Sequence, residues 1–200
     1  MAALGTDAAI AEGFADPVTA SQEHFRHLLD ALSRPGRIVE LGAGLPAAPA
    51  PLSRGSYALL LSLLDYETPL WLAEAGEAAA SLRFHCGCPV TECTGDAVFA
   101  VAPGGAAPAL EEFAQGTPDY PDRSTTLLLE VEALGEGGQE LVLRGPGIEE
   151  SAVLRVGGLD AGLVGQLRAN HRSFPQGVDI VLVAGSRIAG LPRTTEVEIR

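Results

Sequence analysis

Phe174-Pro175-Gln176-Gly177-Val178-Asp179, followed by the apolar run Ile180 to Ala184, opens the segment that decides the fold. A Gly185-Ser186 turn and a second short apolar run come next. Leu191-Pro192-Arg193-Thr194-Thr195-Glu196 then leads toward Arg200. Two apolar runs joined by a two-residue turn predict a β-hairpin. Just beyond it stand one arginine and two hydroxyls. Arginine holds a phosphate or carboxylate through two parallel hydrogen bonds, and threonine hydroxyls add donors. Asp179 could orient Arg193, or it could terminate the Gly177 turn. Arg193, Thr194 and Asp179 are therefore candidate ligand-binding or interface residues, with a purely structural cluster as the alternative.

Outward from the hairpin, the rest of the chain alternates helix and strand patterns. Pro17 to Ser33 predicts a first helix, with Phe25, Leu28, Leu29 and Leu32 as its apolar stripe. Thr19 with Gln22 fits a capping box, and Pro35-Gly36 ends the helix. Ile38, Val39 and Leu41 suggest a short strand. Ser53 could cap a second helix through Leu64. Leu70-Trp71-Leu72 reads as a short buried strand, and Gly76 to His85 as a third helix. Ala97 to Val101 is continuously apolar, as expected of a central strand covered on both faces. Thr125–Glu132 and Gln139–Arg144 read as a hairpin joined through Gly135, Gly137 and Gly138. Asp160 could cap a last helix to about His171. Strands mixed with helices predict one α/β domain over 16–200, a mixed sheet flanked by helices, after a loose lead-in over 1–15.

Composition removes several classes of function. The chain has 200 residues, 46% hydrophobic, with a formal net charge of −13. That charge argues against nucleic acid or an anionic membrane surface as a main partner. An anionic ligand would need a local arginine cluster. All 13 basic residues are arginine. Without lysine, neither a pyridoxal phosphate Schiff base nor a Walker-type phosphate loop is possible in its usual form. No segment reaches the ~18 apolar residues of a membrane span, and no signal peptide is evident. The 3 cysteines, Cys86, Cys88 and Cys93, suit a reducing cytoplasm better than a disulfide framework.

Other clusters carry weaker signals. His85-Cys86-Gly87-Cys88 with Cys93 lacks the paired spacing of structural zinc, so small core or loop cysteines are expected and no metal is assigned. Arg83 and His85 sit at a helix end, where cations complement the dipole; the alternative is that they line a ligand or partner site. Arg144-Gly145-Pro146-Gly147 could present backbone N–H groups to an anion, although a strand-ending turn explains it equally. No nucleophile elbow is present.

The pattern Phe25-Arg26-His27-Leu28-Leu29 through Pro35-Gly36, with Thr68-Pro69-Leu70-Trp71-Leu72 and Leu82-Arg83-Phe84-His85, resembles the PhnH family of the bacterial carbon–phosphorus lyase system. Gly145-Pro146-Gly147-Ile148 and the terminal Phe174–Asp179 and Pro192–Thr195 blocks complete the likeness, which runs from about residue 14 to 200. The resemblance implies an α/β fold similar to the large domain of pyridoxal-phosphate-dependent transferases, without the cofactor. It implies a homodimer that joins G, I and J subunits in a core complex. With the G, I and L proteins, the family supports transfer of a phosphonate onto ribose C1′ of ATP, displacing adenine. The product is a ribose 1-phosphonate 5-triphosphate, whose carbon–phosphorus bond the J subunit later cleaves. Catalytic residues are expected on other subunits. Arg193, Thr194, Asp179, Arg83 and His85 fall on family motif positions, as residues of a pocket for ATP or phosphonate or of a subunit interface. Two rivals remain open: a free-standing binding protein or enzyme for phosphorylated small molecules, and a metal- or thiol-dependent redox protein using the cysteines.

Overall fold

The computed structural model describes residues 10–160 and 162–200. The lead-in expected over 1–15 therefore lies, through residue 9, outside the described residues. Helix α1 (Pro17–Ser33) is followed by β1 (Val39–Glu40), α2 (Arg54–Leu63), β2 (Leu70–Leu72), α3 (Gly76–Cys86), β3 (Phe99–Pro103) and β4 (Thr126–Glu130). Then come β5 (Ala133–Arg144), β6 (Ala152–Gly157), α4 (Leu163–Arg172), β7 (Asp179–Ala184), β8 (Arg187–Leu191) and β9 (Glu196–Ile199). The main sheet has 6 strands in the order β1-β8-β7-β4-β3-β2. Strands β2, β3, β4 and β7 are parallel, while β8 runs against both of its neighbours. A second, 3-stranded antiparallel sheet is ordered β6-β5-β9.

The apolar run of β7 demands cover on both sides, and the layering supplies it. Val181 and Val183, with Leu128, face a core built with α1, α2 and α3 through Leu28, Tyr57, Leu59 and Leu82. Ile180 and Leu182, with Leu127 and Leu129, face a second core closed by α4 and the small sheet through Leu163, Leu167, Leu141 and Leu154. The alternation follows from the two-residue period of a strand. Each fully buried leucine here is worth about 2 kcal/mol over exposure. The fold is thus a single-domain α/β arrangement with a mixed sheet flanked by helices.

The C-terminal hairpin forms as its sequence predicts, with Ala184 paired to Arg187 across Gly185-Ser186. The hairpin expected between Thr125–Glu132 and Gln139–Arg144 does not form. β4 instead enters the centre of the main sheet between β3 and β7, and β5 departs to the second sheet. The reason is that Leu127, Leu128 and Leu129 are all fully buried, so β4 has no solvent face. The glycines read as a turn lie inside β5, where its register against β6 shifts between Leu134 and Gln139.

Helix α1 begins and ends where expected, but its cap and stripe differ. Asp16 caps it, its carboxylate accepting from the Thr19 N–H at 3.3 Å, with Pro17 in the first turn. The buried face carries His24, Leu28 and Ala31. Phe25 and Leu29 are 46% and 50% exposed, so half of the expected stripe faces outward. Gly190 on β8 explains how closely α1 docks: a Cβ there would lie 2.6 Å from the Ala31 carbonyl. Strand β3 begins two residues later than expected, at Phe99, with Ala97 in the approach to it. No helix among the described residues is long and apolar enough to cross a membrane.

Candidate functional site

Hairpin register brings Arg193 onto Asp179. Ile180 pairs with Leu191, so the residues flanking that pair meet at the open end of the hairpin. Asp179 Oδ1 accepts from the backbone N–H of Arg193 at 2.9 Å and from its Nε at 3.1 Å. Asp179 Oδ2 accepts from Nη2 at 2.5 Å. Nη2 also donates to Ser124 Oγ. Nη1 donates to the carbonyls of Pro121 at 2.6 Å and Pro175 at 3.3 Å. A guanidinium has five N–H donors, and these contacts engage every one. The Arg193 side chain is 11% exposed.

The same junction is tied at further points. Asn170, at the end of α4, donates from Nδ2 to the Val178 carbonyl at 2.9 Å and accepts the Val178 N–H at 2.8 Å. Gln176 donates to the Gly116 carbonyl at 3.0 Å, and the Gly177 N–H to the Gln115 carbonyl at 2.9 Å. The segment from Phe174 to Asp179 is thereby fixed against the loop 115–124. Thr194 lines the rim of an open groove with Pro121, Asp122, Phe174, Pro175, Asp179 and Arg193. Thr195 is buried, and its hydroxyl has no partner. In this arrangement Arg193 braces the protein itself and has no donor left for an anion.

Arg83 and His85 stand elsewhere, in the last turn of α3. His85 Nε2 lies 2.8 Å from the Ala11 carbonyl, and Ser81 Oγ accepts the Ala11 N–H at 3.0 Å. The two side chains pin the segment before α1 across α3. Arg83 is exposed. The Gly147 backbone lies close against the end of α1, since a Cβ there would fall 2.1 Å from the Ser33 carbonyl. The turn from Gly145 to Gly147 is itself exposed.

The carboxyl ends of parallel strands are where open α/β sheets bind ligands. Here that end holds a cleft lined by Leu52, Leu72, Ala73, Glu74, Pro103 and Glu130. A neighbouring depression adds Gly104, Glu132 and Asp160. The charges are all carboxylates, and no arginine is among the described lining residues. Glu130 is itself occupied, accepting the Ser53 N–H at 2.9 Å where α2 begins. Four carboxylates repel a polyphosphate.

The cysteines are dispersed in environment: Cys88 is buried, Cys86 half-buried and Cys93 exposed. Burial, with smaller contributions from Cys88 and Asp65, pushes the Cys86 thiol up to about 12. Burial also raises the Cys88 thiol. Neither is a nucleophile near neutrality. Among the described residues, no group of three or more His, Cys, Asp or Glu side chains could hold a metal ion.

The fold defines a single-domain α/β protein with its junction loops braced by a largely buried arginine side chain. Residues 12–198 match the family described as bacterial phosphonate metabolism protein (PhnH), and the chain belongs to that family. It is 46% identical over 189 residues to the alpha-D-ribose 1-methylphosphonate 5-triphosphate synthase subunit PhnH of Rhizobium meliloti (strain 1021), covering 92% of this chain and 94% of the relative. It is 33% identical over 183 residues to HtxG, a provisionally assigned C-P lyase subunit protein of Stutzerimonas stutzeri, covering 90% of this chain and 86% of that one.

Proposed function

We propose that this chain is an accessory subunit of a carbon–phosphorus lyase assembly working in the cytoplasm. In that reading it supports transfer of a phosphonate to ribose C1′ of ATP with release of adenine. The observation that carries it is the similarity to a synthase subunit along nearly the full length of both chains. The geometry supports an accessory role. Arg193 has spent its donors, and the cleft at the strand ends is acidic. Catalytic groups and the triphosphate cradle would then belong to other subunits, with G, I and J as the expected partners. The homodimer implied by the family resemblance would use the outward face of α1, where Val18, Phe25 and Leu29 are exposed.

Reconstitution tests this reading. Adenine release from ATP and methylphosphonate should require the chain together with the remaining subunits, and the chain alone should release none. Adenine release by the isolated chain, or full activity of the assembly without it, would overturn the reading.

A further inference from the structure

Two aromatic–proline dipeptides converge on a single atom of Arg193. The carbonyls of Pro121 and Pro175 both accept from Nη1, at 2.6 and 3.3 Å. Each is preceded by an exposed aromatic, Tyr120 at 53% and Phe174 at 58%. The groove between them has apolar walls of Phe174 and the two prolines, with Asp122 and Asp179 among its lining residues. The Asp122 side chain is exposed at the rim.

We propose that this groove receives a protruding arginine or lysine side chain of a partner subunit. The inference rests on the subunit reading given above. Charge decides the occupant. Among the described lining residues the one cation, Arg193, is paired with Asp179, so the carboxylate of Asp122 is left as the net local charge. An anion finds no donor there, whereas an ammonium or guanidinium finds acceptors. A long basic side chain also lays its apolar stem along apolar surface while its head reaches charge. Exposed aromatic rings favour such a head over their faces. The Tyr120 ring already does this within the chain, with Arg123 stacked 4.2 Å from its centroid. The net charge of −13 steers a basic partner face toward this surface. Rigidity adds to the case. Both dipeptides are held through Nη1 of an arginine whose remaining donors are fixed on Asp179 and Ser124, so little ordering remains to be done on binding.

The test is association of the full chain with the remaining, co-purified subunits of the assembly, read by native mass spectrometry and by titration on an immobilised chain. Asp122→Lys and Phe174→Ala change exposed side chains, and unchanged melting temperatures would establish that both variants fold. The expected result is association at least about tenfold weaker in each variant, as for central anchors of an interface. Wild-type association should also weaken as salt rises. Wild-type-like association of both folded variants would overturn the groove assignment and leave the subunit reading intact. Loss of self-association with partner binding unchanged would overturn it in favour of a second copy of this chain. Failure of the wild-type chain to associate at all would overturn the subunit reading and the groove assignment together.

Discussion

Arg193 and Asp179 stand 14 residues apart, yet three N–H groups of the arginine, one of them backbone, reach the aspartate's carboxylate. The β7–β8 hairpin makes the pairing, and the pairing in turn fixes the loops at Pro121 and Pro175. Removing one partner leaves the other charge partly buried and unpaired. Arg193→Ala should therefore cost about 3 kcal/mol, in the range for breaking a buried pair. At this chain length that is a fall in Tm of roughly 6–12 °C. Arg193→Lys, which lacks the planar fork, should recover only part of the loss. The double variant with Asp179→Ala should cost less than the sum of the singles, because the two residues act as one unit. Thermal melts of the wild type, the three single variants and the double variant check this. An additive cycle with small losses would contradict the clasp.

His24 gives the protein an acid-sensitive element. Burial holds its pKa below the ordinary 6.5, with Glu23 opposing and His27 adding to the effect. The ring packs 5.2 Å from that of Phe14, and Nδ1 has no partner. A histidine with a lowered pKa binds its proton more weakly when folded. Its contribution is therefore complete above 6.5 and is lost as pH falls below that value toward the folded pKa. His24→Gln should flatten the dependence of Tm on pH as pH falls below 6.5, whatever it does to absolute stability. An unchanged slope would show that the His24 site does not titrate in that window.

The thiols make a separable prediction. At pH 8 a thiol pushed up to about 12 is thiolate in about one part in ten thousand. Iodoacetamide added to the native protein should label the exposed Cys93 first, with Cys86 and Cys88 reacting only after denaturation. Peptide mapping distinguishes the sites. Rapid native labelling of Cys86 would contradict its burial.

The proposed homodimer contact on the outward face of α1 has its own test. Phe25→Glu with Leu29→Glu should give a particle of half the wild-type mass by analytical ultracentrifugation, with the helical signal retained. A wild-type monomer, or a variant of unchanged mass, would remove that face as the dimer contact.

Much of this architecture was legible because the hairpin carries its own punctuation. Gly185-Ser186 between two apolar runs admits little else. β4 was misread because Thr126, Glu130 and Glu132 suggest a wet face, although Leu128 stands between two other buried leucines and demands cover on both sides. β6 and β9 escaped notice because Arg155, Glu196 and Glu198 interrupt short apolar patterns that only a neighbouring strand makes sense of. In α1, hydrophobicity could not say that His24 faces the core while Phe25 faces out. The Asp179–Arg193 pairing was among the readings the sequence left open. The remaining acceptors, the backbone carbonyls of Pro121 and Pro175, carry no residue-specific signal. What the arginine does could only be read once they were in place.

Whether this chain acts as part of an assembly is decided by native mass spectrometry of the chain co-expressed with the G, I and J subunits of the carbon–phosphorus lyase system. The expected result is a stable complex that contains this chain. A chain found only alone or as its own dimer, beside an otherwise complete assembly, would contradict it.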